Sequence, residues 1–345
     1  MRHVTLRLYF MALVKSLSVL PTLEDDLSRL EQILIDSVIA ENDYLTEIAS
    51  HLITAGGKRV RPGFAIAASG VETAVAENVS HSVLLGGVAV ELVHLGSLYH
   101  DDVMDEAELR RTVPSVNALW GNLTAILAGD FLLARASEIA ASLGTEVAAL
   151  LAKTIGELCE GQILELQSTF KIDRSLDSYE RSISGKTASL LATACKIGGL
   201  TSELSRDNID AINAFGHSYG MAFQIIDDIL DLTATDEELG KPAGNDLIEG
   251  VYTLPVIAAF STKYGDELKS LLGDEISVDE RDRARELIRK SGGVSDALSR
   301  ARYWTSQAVS SLGCLPDSEA TTALKTATEH LISRASPTNF IVSNQ

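Results

Sequence analysis

The sequence is short of proline and aromatic residues, and both shortages argue against a β-sheet protein. Only 7 of its 345 residues are proline, and none lies between Pro114 and Pro242. This interval is therefore predicted to be a series of long helices joined by Gly, Ser or Asp. Aromatic residues make up 5% of the chain, whereas hydrophobic residues make up 46%. The apolar content is mostly Ala, Leu, Ile and Val, a set in which strong helix formers dominate.

Positive charge is also scarce. Lys and Arg number 29 against 48 Asp and Glu, which gives a net charge of −19. Nucleic acid and anionic lipid surfaces attract basic proteins, so neither is expected as a partner. A diphosphate remains compatible with this balance where metal ions and a few local cations cover its charge.

Cysteine is the third shortage. Cys159, Cys195 and Cys314 are far apart, odd in number and fit no metal-binding spacing. They are predicted to be buried free thiols in a reducing compartment, and the protein is expected to be cytoplasmic.

The N-terminal segment is apolar and mildly basic. Arg7 and Lys15 break its apolar run and no small-residue cleavage site follows, which disfavours a signal peptide. Residues 1–20 are expected either to be disordered or to include a misassigned start upstream of Met11. No later run of about 18 residues is uniformly apolar and uncharged, so no membrane span is expected.

Apolar residues recur at helical spacing along most of the chain. Residues 23–53 are predicted to form one helix, and residues 82–100 a second that is buried on most sides. Further helices are predicted over 123–141, 145–168, 186–198, 208–232, 252–272, 280–291, 295–312 and 318–334. No alternating strand of convincing length and no low-complexity linker is present. One all-α domain of ten or more helices, spanning 1–345, is therefore predicted.

Two acidic clusters share one pattern, DDVMD at 101–105 and DDILD at 227–231, and each ends an apolar stretch. In each cluster the first and last Asp are four residues apart and share one helix face. A single acidic run is usually a solvated face, since packed carboxylates repel one another. Two copies on facing helices would form a cage of oxygen ligands. Such a cage suits Mg²⁺, which shares its remaining ligands with water and substrate phosphates.

Basic residues accompany the clusters. Lys58, Arg59 and Arg61 lie on a glycine-flanked turn, Arg110 and Arg111 follow the first cluster, and Lys186 and Lys241 stand beside glycines. Arg grips phosphate oxygens as a fork and Lys as a point charge. Each basic site alone is more often plain surface. The polar segment 233–250 is predicted to be either a lid over the site or a surface connection.

Six segments occur in the order GGKRVRP, ELVHLGSLYHDDVMDEAELRR, GDFLLA, GKTASL, FQIIDDILD and GKPAGNDLIEGVYTLP. In these segments the chain resembles the trans-isoprenyl diphosphate synthases, the polyprenyl synthetase family. The resemblance extends by motif from Gly56 to Pro255. It implies a bundle of long helices around a deep central cavity, and a homodimer.

The resemblance also implies roles by position. Asp101, Asp102 and Asp105 correspond to the first metal cluster, and Asp227, Asp228 and Asp231 to the second. Three Mg²⁺ ions are expected, with Asp101, Asp105, Asp227 and Asp231 as metal ligands. The residues that match isopentenyl diphosphate contacts are Lys58, Arg61, His94 and Arg111. Those that match the allylic diphosphate site are Arg110, Lys186, Thr187, Gln224 and Lys241, of which Lys186 is also expected to be catalytic.

The implied activity is that of a Mg²⁺-dependent prenyltransferase that condenses isopentenyl diphosphate with an allylic diphosphate primer. Terpene cyclases and head-to-head coupling enzymes lack the GGKxxRP segment, so Lys58 and Arg61 argue against both. A catalytically silent subunit of a heteromeric enzyme should have lost an acidic cluster, and all six aspartates are present. One departure is visible, because Val251 stands where the family often has Lys. Transient membrane contact for product release is also expected.

Product length is predicted from the helix that precedes Asp101. In the family, bulky aromatics four or five residues before the first Asp stop growth early. Here those positions are Ser97 and Gly96, and Val93 lies further back. A long-chain all-trans polyprenyl diphosphate is predicted, with geranylgeranyl diphosphate as the alternative. Gly96 and Ser97 have a second interpretation, in which they only permit close helix packing.

Overall fold

The computed structural model describes residues 17, 19–72, 77–235, 243–273 and 275–335. Almost all of the N-terminal segment discussed above, with the question of its start, lies outside the described residues. The described part contains sixteen α-helices and one two-stranded hairpin. The predicted all-α bundle of ten or more helices is confirmed.

The elements follow one another from α1 to α16. The first half contains α1 (Leu23–Ser37), α2 (Asp43–Thr54), α3 (Val60–Ser69), α4 (His81–Met104), β1 (Leu109–Arg110), β2 (Val113–Pro114), α5 (Val116–Trp120), α6 (Asn122–Ser142) and α7 (Thr145–Ser168). The second half contains α8 (Leu176–Ile183), a π-helix (Ser184–Ala188), α9 (Ser189–Thr201), α10 (Arg206–Thr233), α11 (Asn245–Ile248), α12 (Leu254–Phe260), α13 (Gly265–Leu271), α14 (Val278–Ser291), α15 (Gly293–Ser311), a 3₁₀ turn (Leu312–Cys314) and α16 (Glu319–Arg334).

Helix α4 is the centre of the N-terminal half. It packs against α1, α3, α6 and α9, and most of its apolar side chains are buried. Helix α9 also packs against α10, so it lies between the two helices that carry the aspartates. Gly96 makes the α4–α6 packing close, since a Cβ there would lie 3.0 Å from the carbonyl oxygen of Gly129. The core therefore fixes the spacing of the two acidic clusters.

Helix α4 also has the length and hydropathy of a membrane-spanning helix, and it alone does so among the described residues. Since 72% of its most apolar window is buried inside the protein, its apolar composition is accounted for by its place in the core.

Two helix predictions were wrong in their extent. The predicted helix 23–53 is divided into α1 and α2, because the Asn42 side chain accepts the backbone N–H groups of Tyr44 and Leu45 and caps a new helix. The predicted helix 252–272 is likewise two helices, separated by a turn after Phe260. By contrast, α7 spans the predicted 145–168.

The cysteine prediction was correct in part. All three thiols are free, but only Cys195 is buried, whereas Cys159 and Cys314 are exposed. Cys159 lies on the outer face of α7, and Cys314 ends a 3₁₀ turn at the surface. Spacing along the sequence indicated that they would be free, but it carried no information about which helix face each would occupy.

Candidate active site

The first acidic cluster lies at the C-terminal end of α4. Asp101 and Asp105 share a face, as predicted, and are half-buried and exposed respectively. Asp102 is fully buried and points into the protein, where Arg110 on β1 donates from Nε at 2.6 Å and from Nη2 at 2.5 Å. Arg110 therefore binds the middle carboxylate of the cluster. Its predicted contact to the allylic diphosphate stays a prediction.

Lys186 lies opposite the outer carboxylates of this cluster. It comes from the π-helix, and its Nζ is 2.5 Å from Glu165 on α7. Burial raises the pKa of Asp101 to about 6; Lys186 opposes this rise and Asp105 adds to it. Although burial works against its charge, Glu165 and Asp101 raise the pKa of Lys186. This lysine is therefore charged and faces a group of three carboxylates.

The second acidic cluster lies in the last turns of α10. Asp228 is buried, and both of its carboxylate oxygens accept hydrogen bonds, from Tyr179 Oη at 2.5 Å and from Gln224 Nε2 at 2.9 Å. Thr187 Oγ1 donates to Gln224 Oε1 at 2.7 Å. Burial raises the pKa of Asp228 to about 7. Gln224 thus holds the middle carboxylate of the second cluster, and Thr187 holds Gln224. Their predicted place at the allylic diphosphate site stays a prediction.

The outer residues of the second cluster differ in surroundings. Asp231 is buried, and its carboxylate accepts the backbone N–H of Asp246 at 3.3 Å. Asp227 is more open, and Arg334 on α16 donates to it at 3.2 Å. Although Lys58 is exposed, desolvation and the guanidinium groups of Arg334 and Arg111 lower its pKa, while Asp227 raises it. The glycine-rich turn and the C-terminal helix thus meet at Asp227.

The three cations of the glycine-rich turn have different roles. Arg59 is buried and binds Glu31 at 2.6 Å and Glu91 at 3.0 Å, so it is a structural residue. Arg61 Nε is buried without a hydrogen-bond partner among the described residues, which leaves it open to a ligand. The family resemblance implies a substrate contact for Arg61 and none for Arg59, and their different bonding gives a physical reason for that difference.

His94 and Arg111 lie beside this turn. Burial and then four neighbouring arginines lower the pKa of His94 well below its usual value, so its imidazole is neutral and offers a hydrogen bond rather than a charge. Arg111 Nη1 donates to the carbonyl oxygens of Leu52, at 2.9 Å, and Gly56. Arg111 therefore ties the turn after the first cluster to the glycine-rich turn.

The acidic clusters suit Mg²⁺ only with additional ligands. No group of three or more Asp, Glu, His or Cys side chains in the described ranges is arranged to hold a metal ion by itself, so the expected cage of carboxylates is not formed. The donor set nevertheless fits a hard cation, because burial raises the pKa of Asp101 and Asp105 at the end of α4 and of Asp228 on α10, so a nearby positive charge would stabilise these carboxylates. Mg²⁺ is usually bound through one or two carboxylates plus phosphate and water.

The residues expected to set product length do not share one face of α4. Val93 and Ser97 precede Asp101 by eight and four residues and therefore lie on its face. Gly96 instead faces α6, where a side chain would also meet Leu133 at 3.2 Å. For Gly96, the structure favours the helix-packing interpretation over a place in the tunnel wall.

Two observations from the sequence concern the segment between α10 and α12. Lys241, and with it much of the predicted lid, lies outside the described residues. Val251 is half-buried and donates its backbone N–H to Asp246 O at 2.8 Å.

A cavity of about 750 Å³ lies on the opposite side of the π-helix. Ser184 and Gly185 line it, whereas Lys186 and Thr187 bond to the residues around the aspartates. Its walls mix acidic and basic side chains and include none of the six aspartates. The clusters, and not this cavity, therefore carry the features of a diphosphate site.

Comparison with known proteins agrees with this geometry. Residues 42–290 match the model of the family described as polyprenyl synthetase. The chain is 40% identical over 299 residues to heptaprenyl diphosphate synthase component 2 of Geobacillus stearothermophilus, covering 86% of this chain and 92% of that protein. It is 36% identical over 310 residues to nonaprenyl diphosphate synthase of Mycobacterium tuberculosis, covering 89% and 92%.

A solved structure shows the same fold. The polyprenyl synthase from Caulobacter crescentus, complexed with calcium and isoprenyl diphosphate, superposes with a TM-score of 0.86 at 31% identity. The match covers 94% of this chain and 98% of that one. A divalent metal and a prenyl diphosphate are therefore bound together in a protein of this fold.

Proposed function

The chain belongs to the polyprenyl synthetase family, and we propose that it condenses isopentenyl diphosphate with an allylic diphosphate to make a long-chain all-trans polyprenyl diphosphate. The supporting observation is the arrangement of charge. Lys186 faces Asp101 and Asp105, whereas Lys58 and Arg61 lie near Asp227. Two anionic groups can thus be held side by side, one by carboxylate-bound metal with Lys186 and the other by the cations of the glycine-rich turn.

The residues divide between two substrates. Asp101, Asp105, Asp227 and Asp231 would hold Mg²⁺, which supplies positive charge to the leaving diphosphate. Lys58 and Arg61 hold isopentenyl diphosphate, with Arg111 and a hydrogen bond from His94. Holding the two reactants in line contributes several kcal/mol, up to about 10 in well-oriented systems.

The reaction breaks the allylic C–O bond, and the diphosphate leaves with the electron pair. The double bond of isopentenyl diphosphate attacks the resulting allylic cation, a C–C bond forms, and a proton is lost to the released diphosphate. The Thr187 and Gln224 dipoles and the apolar face of α4 surround this cation. Water must be excluded from it, which explains the use of apolar walls.

The length of the product is proposed from α4 and from the relatives. Ser97 and Val93 leave the face below Asp101 free of aromatic side chains. The relatives described above are named for heptaprenyl and nonaprenyl products. Geranylgeranyl diphosphate is the alternative product, because a side chain from another helix can form the floor of a tunnel.

A homodimer is the proposed assembly. Leu123 and Leu127, one turn apart on α6, are 81% and 66% exposed, and Ile126 beside them is 40% exposed. An apolar patch of this kind marks a protein interface. One relative is named as a component of its enzyme, so a heteromer is the second candidate.

The decisive experiment mixes the purified chain with Mg²⁺, isopentenyl diphosphate and farnesyl diphosphate, and sizes the products by mass. Longer diphosphates are expected from the chain alone, and the reaction should stop reversibly with a chelator. No elongation by the chain alone, but elongation after adding a second protein, would support the heteromer. Cleavage or cyclisation of the primer without isopentenyl diphosphate would overturn the proposal.

A further inference from the structure

Arg174 has a buried guanidinium group, and two of its three nitrogens have no hydrogen-bond partner among the described residues. It lies between α7 and α8 and is only 6% exposed. Its Nη1 donates to the carbonyl oxygen of Tyr252 at 3.1 Å. Neither Nε nor Nη2 has a hydrogen-bond partner among the described residues. A buried charged group in this state is costly, so a partner is expected.

The two nitrogens without partners lie on one edge of the guanidinium. Nε–H and one Nη2–H point in the same direction and form the fork with which arginine grips two oxygens of one anion. The opposite nitrogen, Nη1, is the one fixed to the backbone of Tyr252. The side chain is therefore anchored at one corner, and its bidentate edge is buried without a hydrogen-bond partner among the described residues.

The position of Arg174 relates it to the second acidic cluster. Its Cζ lies 5.5 Å from the centre of the Tyr179 ring, and Tyr179 donates to Asp228. Desolvation lowers the pKa of Arg174, while Glu165, Tyr179 and Asp228 raise it. Glu165 is also the partner of Lys186. The guanidinium is thus within the electrostatic reach of groups from both sides of the site.

We propose that Arg174 binds phosphate oxygens of the allylic diphosphate, and of the inorganic diphosphate that it releases, through its Nε–Nη2 edge. This inference rests on the proposed function, which brings a diphosphate to these clusters. It also accounts for Val251, where the family resemblance implies a lysine. Arg174 is bonded to the next residue, Tyr252, and supplies positive charge beside that position.

The competing explanation is structural, with Arg174 serving only to hold the Tyr252 carbonyl. Three substitutions separate the two explanations. Arg174→Gln keeps an amide that can donate to Tyr252 but removes the charge and the fork. Arg174→Lys keeps the charge and removes the fork. Arg181→Gln is the matched control, because Arg181 is an exposed arginine on α8.

The first measurement is calorimetric binding of inorganic pyrophosphate with Mg²⁺. Arg174→Gln should weaken binding about ten- to hundredfold, and Arg174→Lys several-fold. The second is a comparison of KM values, in which Arg174→Gln should raise KM for the allylic primer about tenfold or more and that for isopentenyl diphosphate less than about twofold. Arg181→Gln should leave both measurements unchanged.

Wild-type pyrophosphate affinity in Arg174→Gln, or an equal rise of both KM values, would overturn the inference. If Arg174→Gln does not fold, wild-type affinity in Arg174→Lys overturns it instead. The proposed function is tested separately, by elongation in the wild-type protein. If the wild-type protein does not elongate the primer, the proposed function is wrong, but the pyrophosphate binding measurement still tests the role of Arg174.

Discussion

At the end of α4, the middle carboxylate Asp102 is bound by the guanidinium of Arg110, whereas in α10 the corresponding Asp228 accepts from the neutral groups of Tyr179 and Gln224. Both carboxylates are buried, and burial raises the pKa of both. A buried carboxylate needs hydrogen bonds, but a full counter-charge is only one way to provide them. The same five-residue pattern is thus supported by two kinds of chemistry.

The difference extends to the cations outside each cluster. The first cluster faces one lysine, Lys186, which Glu165 holds in place. The second is near Lys58, Arg61 and Arg334, which come from the glycine-rich turn and from α16. The first cluster therefore has Arg110 shortly after it in the chain and Lys186 on the π-helix, whereas the second gathers its cations from the glycine-rich turn and from α16.

The largest effect is expected from removing an outer carboxylate from either cluster. Asp101→Ala and Asp227→Ala should each lower kcat at least about a thousandfold, which corresponds to about 4 kcal/mol, because each removes a proposed metal ligand. Asp227→Ala should also lower the melting temperature more than Asp101→Ala, since it removes a carboxylate bound to Arg334. Steady-state kinetics at saturating Mg²⁺ and thermal unfolding provide the two measurements.

Asp207→Ala is the control for these variants, because Asp207 is exposed in the first turn of α10. It should leave both kcat and the melting temperature near the wild-type values. Near-normal turnover in Asp101→Ala or Asp227→Ala would mean that this cluster does not bind an essential metal ion. The two clusters would then differ in function as well as in their supporting residues.

The next effect separates the cations of the two clusters. Lys58→Ala and Arg61→Ala should weaken isopentenyl diphosphate binding about ten- to hundredfold, since each charge-assisted contact contributes roughly 1.5–3 kcal/mol. KM for the allylic primer should change much less. Lys186→Ala should instead raise KM for the allylic primer and change isopentenyl diphosphate binding much less. Equal weakening of both substrates in Lys58→Ala would mean that the turn and the clusters form one site.

Much of this arrangement was predictable from the sequence because its signals are local. The spacing of each aspartate cluster, the helix 145–168 and the order of the motifs all follow from residues close together in the chain. The break after α1 was missed because the apolar pattern runs through it, although Asn42 is a recognisable cap.

The missed site residues are those that only tertiary packing brings together. Glu165, Tyr179 and Arg334 have no motif that announces them, and each acts on a residue more than twenty positions away. Conversely, Arg59 belongs to the cationic turn that the sequence singled out, but it is structural because Glu31 and Glu91 neutralise it. The sequence shows which charged side chains are present, but only the folded structure shows which of them are already paired within the protein.

A smaller effect is expected on the length of the product. It depends on a difference between the helical segments that precede the two clusters. Ser97 stands four residues before Asp101, whereas Phe223 stands four residues before Asp227. Ser97→Phe should shorten the product by one or more isoprene units and retain catalysis, since twelve residues of helix span roughly 18 Å of the proposed tunnel. Products are sized by mass, with Ser137→Phe on the exposed face of α6 as control.

An unchanged product in Ser97→Phe would mean that this face of α4 does not line the tunnel. Gly96→Phe is a poorer test than the sequence suggested. Its side chain would meet the α6 backbone at Gly129 and disturb the packing of α4.

The smallest effect is expected on the pH dependence of stability. It tests whether the uncharged donors Tyr179 and Gln224 allow Asp228 to be protonated. Burial raises the pKa of Asp228 from 3.8 to about 7 and that of Asp101 to about 6. In the unfolded chain both should titrate near 4. The folded protein therefore holds these protons more tightly, and this contribution to stability is complete below about pH 4 and is lost as the pH rises through 6 and 7. The lowered pKa values of His94 and Lys58 have the opposite effect, since the unfolded chain binds these protons more tightly.

The test is therefore the change in melting temperature from pH 7.5 to pH 5.0, measured without Mg²⁺ in matched variants. Asp228→Asn cannot titrate, so this change should be less favourable than in the wild type by a few degrees, whereas the exposed Asp207→Asn should behave like the wild type. An equal change in Asp228→Asn and the wild type would show that Tyr179 and Gln224 leave Asp228 ionised throughout this range, as a charged partner would.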